Sequence, residues 1–291
     1  MPSLVYGQIR SAFRHLNPHE VRDLAEKPVS VGLIASSHDG FAAMEDLLSP
    51  PSYSHARRFE SGQALHRITE PGEGREYDLV LCEEELLAPR GAFLFDRRHP
   101  ERTIARIIDA RQDLRLSLAR HFAPFRQPVI ANVIRAIARE NAAFSVVTAL
   151  PDIIPSLIEL PWAVGEFASD TAFLTMNQVR MAFLIAGASD QQVGYMEQRA
   201  QIAGIVGTAF GWRALARELV GKIPFGGGLV PKAAIAYAGT YTVGVGLERF
   251  YRIGYGLTRE ERKEVYRKAL DRGRGIVDAI VQGARRGSFT S

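Results

Sequence analysis

Gly221-Lys222-Ile223-Pro224-Phe225-Gly226-Gly227-Gly228-Leu229-Val230-Pro231 joins two apolar segments rich in small residues, and the stretch from Gly207 to Gly246 decides how the C-terminal half folds. Glycine and proline at this density punctuate a chain. Gly204, Gly207 and Gly211 precede the junction at helical spacing, and Ala234, Ala238, Thr242 and Gly246 follow it. Small side chains on facing stripes let two helix backbones approach closely. The stretch therefore predicts a tight helical hairpin in which the glycine face meets the face of Ala234, Ala238, Thr242 and Gly246. It explains shape and carries no catalytic signature.

Upstream of the hairpin, a long helix starts at Ser156 or Pro161 and runs to about Ala188. Glu159, Glu166, Asp170 and Asn177 are spaced seven, four and seven along it, which places them in one narrow stripe among apolar residues. Arg213 and Arg217 share the face opposite Gly204, Gly207 and Gly211. Because a buried carboxylate left alone is strongly disfavoured, the stripe is expected to pair with Arg213 or Arg217 as a structural polar network. Downstream, Thr258-Arg259-Glu260-Glu261 is a capping box that opens a last helix through Val281.

Between Pro100 and Phe122, Ile104, Ile107, Ile108, Leu114, Leu118 and Phe122 fall on one face of a helical pattern. Pro124 and Pro128 are expected to interrupt it, with another amphipathic helix from Val129 to Leu150. The N-terminal third reads differently. Asn17-Pro18 opens a short helix to about Ala25. Val29–Ala35, Asp78–Cys82 and Gly91–Phe95 are apolar runs of strand length, and a helix through Phe41, Met44, Leu47 and Leu48 follows the first. Residues 52–77 are polar and weakly patterned. The fold class is α+β: a small α/β unit at 1–98, a predominantly helical bundle at 99–282 containing the hairpin, and a flexible tail at 283–291.

The strand, loop and helix around residues 29–48 place Gly40 at the second glycine of a phosphate-binding GxxxxGK[ST] loop. Ala35 stands at the first glycine, Phe41 where a lysine would reach phosphates, and Ala42 where a hydroxyl would hold magnesium. The chemistry of nucleotide hydrolysis lacks its side chains. Glu83-Glu84-Glu85 follows a core strand, a place where α/β proteins set functional carboxylates, yet no Asn-Lys-x-Asp motif follows. The histidines show no metal or triad spacing, and Ser36 and Ser37 lack a nucleophile elbow. No catalytic residue, cofactor or metal site is assigned, and the chain is read as not an enzyme.

With 36 basic and 32 acidic residues the formal charge is +4, and arginine is dense at 97–139 and 249–274. That distribution suits an anionic membrane surface or an acidic partner and argues against nucleic acid. Cys82 is the single cysteine, so no internal disulfide forms. Met1–Pro18 has no sustained apolar core and reads as no secretory leader. Ala233–Leu247 and Ala200–Trp212 are uncharged but shorter than a comfortable span.

Glu140-Asn141-Ala142, Ala149-Leu150-Pro151 with Pro155 and Leu160-Pro161, Asn177-Gln178-Val179-Arg180-Met181, and Arg213-Ala214-Leu215-Ala216-Arg217-Glu218 leading into Lys222-Ile223-Pro224 together carry a resemblance. The segment from about Ile134 to Tyr255 resembles the bacterial domain of unknown function 697 family, which includes YcjF-like membrane proteins. The resemblance covers less than half of the chain. It implies a helical domain associated with the inner membrane and linked to a GTPase-like domain, which makes the failed phosphate loop look like a degenerate GTPase-like unit. The expectation from sequence is a non-enzymatic membrane-associated or membrane-proximal scaffold, cytoplasmic and at the inner face of the inner membrane. Its expected partners are an anionic membrane surface, a GTPase-like protein or a second copy of the chain. The rival readings are a nucleotide-binding regulator without hydrolysis and an integral multi-pass protein using residues 142–190 and 200–250.

Overall fold

Val31, Leu33, Leu79, Leu81 and Cys82 are buried together because they lie on adjacent parallel strands. The computed structural model describes residues 16–69, 76–83, 86, 88–148, 170–207 and 229–287. Strands β1 (Val31–Ile34), β2 (Leu65–Arg67), β3 (Leu79–Glu83) and β4 (Phe93–Phe95) form one parallel sheet in the order β2-β1-β3-β4. Val31 stands opposite both Leu65 and Leu79, and Leu81 opposite Phe93. Parallel strands are covered on both faces and so read as continuous apolar runs, which is how β1, β3 and β4 are written. Gly32 permits the covering: a side chain there would meet Ile68 Cδ1 at 2.6 Å and the Tyr77 ring at 3.0 Å.

Helices α1 (Pro18–Glu26), α2 (His38–Leu48), α3 (His55–Gln63), α4 (Pro100–Ala110) and α5 (Arg115–His121) accompany this sheet. In α2, Ser37 caps the N-terminus and Phe41, Met44 and Leu48 are buried. The six apolar positions read between Ile104 and Phe122 are all buried, but 111–114 breaks the run: Ile104, Ile107 and Ile108 lie on α4, Leu118 on α5, and Leu114 and Phe122 flank α5.

The chain divides into two compact units: residues 20–131 with 187–192, and residues 1–19, 132–186 and 193–291. The domain boundary expected at 98/99 falls inside the first, α/β unit. Its α4 is tied to β4, because Thr103 Oγ1 donates to the Leu94 carbonyl and accepts from the Asp96 amide, both at 3.1 Å. Ser117 of α5 likewise donates to the Lys27 carbonyl. Segment 187–192 belongs here too. Arg126 Nε donates to the Ala188 carbonyl at 3.0 Å, Arg120 to that of Gln191 at 2.9 Å, and Arg57 pairs with Asp190.

The second unit is helical. It contains the later part of α6 (Ala123–Val147), most of α7 (Asp170–Ala188), the helical residues 199–207 (α8), α9 (Leu229–Ile253) and α10 (Arg259–Gly287). Pro124 and Pro128 do not end a helix before Val129: Pro124 lies in the first turn of α6, where no internal amide partner is needed, and Pro128 is accommodated inside it. Helices α9 and α10 form a hairpin across Gly254, whose φ of 84° is left-handed and whose amide closes on the Phe250 carbonyl at 2.8 Å. The expected capping box is present: the Thr258 amide donates to Glu261 Oε2 at 2.9 Å and the Glu261 amide to Thr258 Oγ1 at 3.2 Å. Ala138, Ala142, Ala234, Tyr237, Ala238, Tyr266 and Ala269 build the core between α6, α9 and α10. The whole is mixed: mostly helical, with a small four-stranded parallel sheet. Among the described residues no helix is long and apolar enough to cross a membrane.

Candidate functional site

In an open parallel sheet the chemistry sits at the carboxyl ends of the strands, where successive connections diverge to opposite sides. Here that point lies between β1 and β3. The loop leaving β1 carries Ser36 and Ser37 into α2, and β3 ends at Glu83. The Ser36 amide and hydroxyl both donate to Glu83 Oε2 at 2.9 Å, and Gly40 leaves room for the other oxygen: a Cβ there would stand 2.7 Å from Glu83 Oε1 and 2.9 Å from the Ala35 methyl. A carboxylate at a helix N-terminus takes the donors and the dipole field that would otherwise suit a phosphate. The chain's own anion thus occupies the seat.

The opposite end of the same strand pair is built alike. The Ser30 amide donates to Asp78 Oδ2 at 2.9 Å, its hydroxyl to the same oxygen at 3.1 Å, and the Asp78 amide returns to Ser30 Oγ at 3.2 Å. Two Ser–carboxylate clasps therefore bracket β1 and β3. Beside the Glu83 clasp, Arg67 forks onto Glu45 at 2.6 and 2.8 Å and lies over the Phe41 ring at 5.3 Å. Phe41, at the lysine position of a phosphate loop, is buried. Asp96, after β4, is spent on its own turn: burial opposes its charge, but the His99 and Arg98 amides hold its pKa below the usual range. Burial, with the Glu83 charge second, raises the Cys82 thiol, so it is a poor nucleophile. Among the described residues no group of three or more His, Cys, Asp or Glu side chains could hold a metal.

The polar network expected in the helical unit takes a different form where it is described. Asn177 is fully buried on α7, and its amide donates to Asn141 Oδ1 on α6 at 2.8 Å. Asn141 donates to Thr240 Oγ1 on α9 at 2.8 Å, and Gln178 reaches the same hydroxyl at 3.3 Å. Three helices are stitched by neutral amides rather than by ion pairs, a cheaper solution where water is excluded. Asn177 Oδ1 has no partner among the described residues. At the margin, Glu140 of α6 pairs with Arg180 of α7. Glu159, Glu166, Arg213 and Arg217 lie outside the described residues, as does Gly211, and Asp170 is described only as the first residue of α7. Thr240 was not singled out from sequence, and Asn141 and Gln178 entered only through the motifs that carry the resemblance, not as members of a polar network. Their signal was polar side chains inside otherwise apolar helices.

The expected helix contacts also fall differently. Ala234 and Ala238 lie in the core shared with α10, and a side chain added at Gly273 of α10 would meet the Tyr237 ring at 3.1 Å and the Ala234 carbonyl at 3.2 Å. A second close approach is at Gly244, where a Cβ would stand 2.7 Å from Ile134 and 3.0 Å from Met181 Sδ. Among the described residues, Gly204 and Gly207 have nothing within 4 Å of such an atom, and Gly246 only Leu257 at 3.9 Å. Gly204, Thr242 and Gly246 instead line a cavity of about 210 Å³ with Gln201, Ile205 and Leu257. Among the described residues, α9 is tightly approached by α10 at Ala234 and Tyr237 and by α6 and α7 at Gly244. Thr242 satisfies its hydroxyl within its own helix, on the Ala238 carbonyl at 2.7 Å.

No family model matches the chain, and neither a curated protein nor a solved structure matches it.

Proposed function

We propose that this protein is a non-enzymatic scaffold working at or beside a membrane surface, with the α/β unit as a rigid platform and the helical unit as the element of association. The observation that carries the reading is Glu83 seated on Ser36 at the head of α2. An incoming phosphate would have to displace a tethered carboxylate, and neither Phe41 nor Ala42 could offer it a cation or a metal-holding hydroxyl in return. A degenerate GTPase-like ancestry is compatible with this seat and belongs to the same proposal. The resemblance over 134–255 and the arginine-dense segments support the membrane side of it.

The test is a titration of the full chain with fluorescent GTP and ATP analogues in the presence of magnesium. No saturable binding is expected up to about 1 mM. Saturable binding at micromolar concentration, competed by the unlabelled nucleotide, would replace the scaffold reading with that of a nucleotide-responsive regulator.

A further inference from the structure

Of the seven large hydrophobic side chains exposed among the described residues, Tyr195, Met196, Phe250, Ile253 and Tyr255 fall within two short segments of the helical unit. The segments are neighbours, because Gln198 is the polar neighbour of the Tyr251 hydroxyl. Tyr195 is engaged, its hydroxyl donating to the Leu16 carbonyl at 2.6 Å and its ring set edge-on against Phe183. Met196 is 69% exposed and Tyr255 59%, while Phe250, edge-on to Tyr251, and Ile253 are more than a third exposed. Residues 252–256 are exposed without a break, and they form the turn at which α9 reverses into α10 through the left-handed Gly254. The result is an exposed tip bearing Phe250, Ile253 and Tyr255.

Around the turn, residues 248–264 carry five basic and four acidic residues, and the basic excess grows along α10 through Arg267, Lys268, Arg272 and Arg274. Two nearby carboxylates are already engaged, Glu248 by Arg252 at 2.8 Å and Glu261 by Arg249 at 2.6 Å. Arg249 also lies over the Tyr255 ring at 5.3 Å. Aromatic and aliphatic groups that can sink to headgroup depth, ringed by arginines, are the combination that binds an anionic bilayer.

We infer that the α9–α10 corner, through Phe250, Ile253 and Tyr255 with Arg252, Arg259 and Arg262 around them, docks the protein on an anionic lipid surface. This rests on the membrane-proximal reading above and specifies the surface that serves it. The test is co-sedimentation of the full chain with vesicles of phosphatidylcholine alone and of phosphatidylcholine mixed with phosphatidylglycerol. The wild type is expected to pellet with the mixed vesicles, less so at high salt. Phe250→Ser/Ile253→Ser/Tyr255→Ser should lower the bound fraction about tenfold or more, and Arg259→Glu/Arg262→Glu severalfold. Phe59→Ser, an exposed aromatic of the α/β unit, should leave it unchanged, and matching thermal melts show that the variants are folded. If wild type and triple variant pellet equally, the corner is the wrong surface while membrane association stands. If the wild type pellets with neither vesicle, both fall. Self-association that the triple variant abolishes, without vesicle binding, would reassign the tip to an interface between copies and overturn the inference.

Discussion

A single carboxylate shows how one residue type can be read two ways. Glu83 was visible in the sequence as part of an acidic run after a strand, and Ser36 as part of a loop, yet their pairing depends on β1 and β3 being neighbours, which neither segment states alone. His121 makes the same point about protonation. It is the last residue of α5, with one ring nitrogen bonded to the Lys27 carbonyl and Nε2 buried without a partner among the described residues. Burial lowers its pKa from 6.5 against the Lys27 carbonyl bond and the Glu60 charge, which raise it, and Arg120 and Arg57 act with burial. The unfolded imidazole therefore takes up a proton at a higher pH than the folded one. Stability contributed by the neutral ring is complete above about pH 6.5 and is lost as the pH falls towards the folded value. The urea midpoint of the wild type should drop between about pH 7.5 and pH 5, and His121→Gln should flatten that part of the decline. A profile unchanged by the substitution would show that the ring is equally accessible to protons in both states.

At the scale of elements, continuous apolar runs made β1, β3 and β4 legible, and capping signals marked the starts of α1 and α10. The missed pieces are instructive. Strand β2 is three residues long, two of them histidine and arginine, and takes its identity from pairing with β1. Helix α3 has Phe59 as its one large apolar side chain, and that ring faces outward. It is held instead by polar contacts, including the 2.6 Å bond between Ser61 and Ser49. No hydrophobic period could have announced either. The glycine pattern was legible as a tight seam but not as to its partner, because Gly204 and Gly244 look alike in sequence and differ only in what stands beside them. Gly244→Ala should cost about 1–3 kcal/mol through overlap with Ile134. Gly204→Ala, with no described residue within 4 Å of the added methyl, should be neutral or stabilising by up to about 1 kcal/mol through helix propensity. Denaturant midpoints of the two variants check the contrast, and equal losses would mean that both glycines sit in closed interfaces.

Across the whole molecule, the division into an α/β part and a helical part was legible, whereas its position was not. The expected boundary followed the change of hydrophobic period at Pro100. The actual one follows contacts, because α4 is tied to β4 and α5 to the segment before β1, and the amphipathic period of those helices says only that they cover something. The polar stitching of α6, α7 and α9 was equally hidden, since only the three helices together bring Asn141, Asn177 and Thr240 to one point.

Cys82 turns this organisation into a measurable quantity. It is the one thiol in 291 residues and is sealed in the central strand pair of the α/β unit. A thiol reagent in excess can modify it only during an excursion that parts β3 from its cover, so the labelling rate in native buffer is a clock for that unit alone. The trace should be a single slow exponential, accelerated by Leu81→Ala and indifferent to Gly273→Ala. A rapid burst would mean that the sulfur is open to solvent in the resting state.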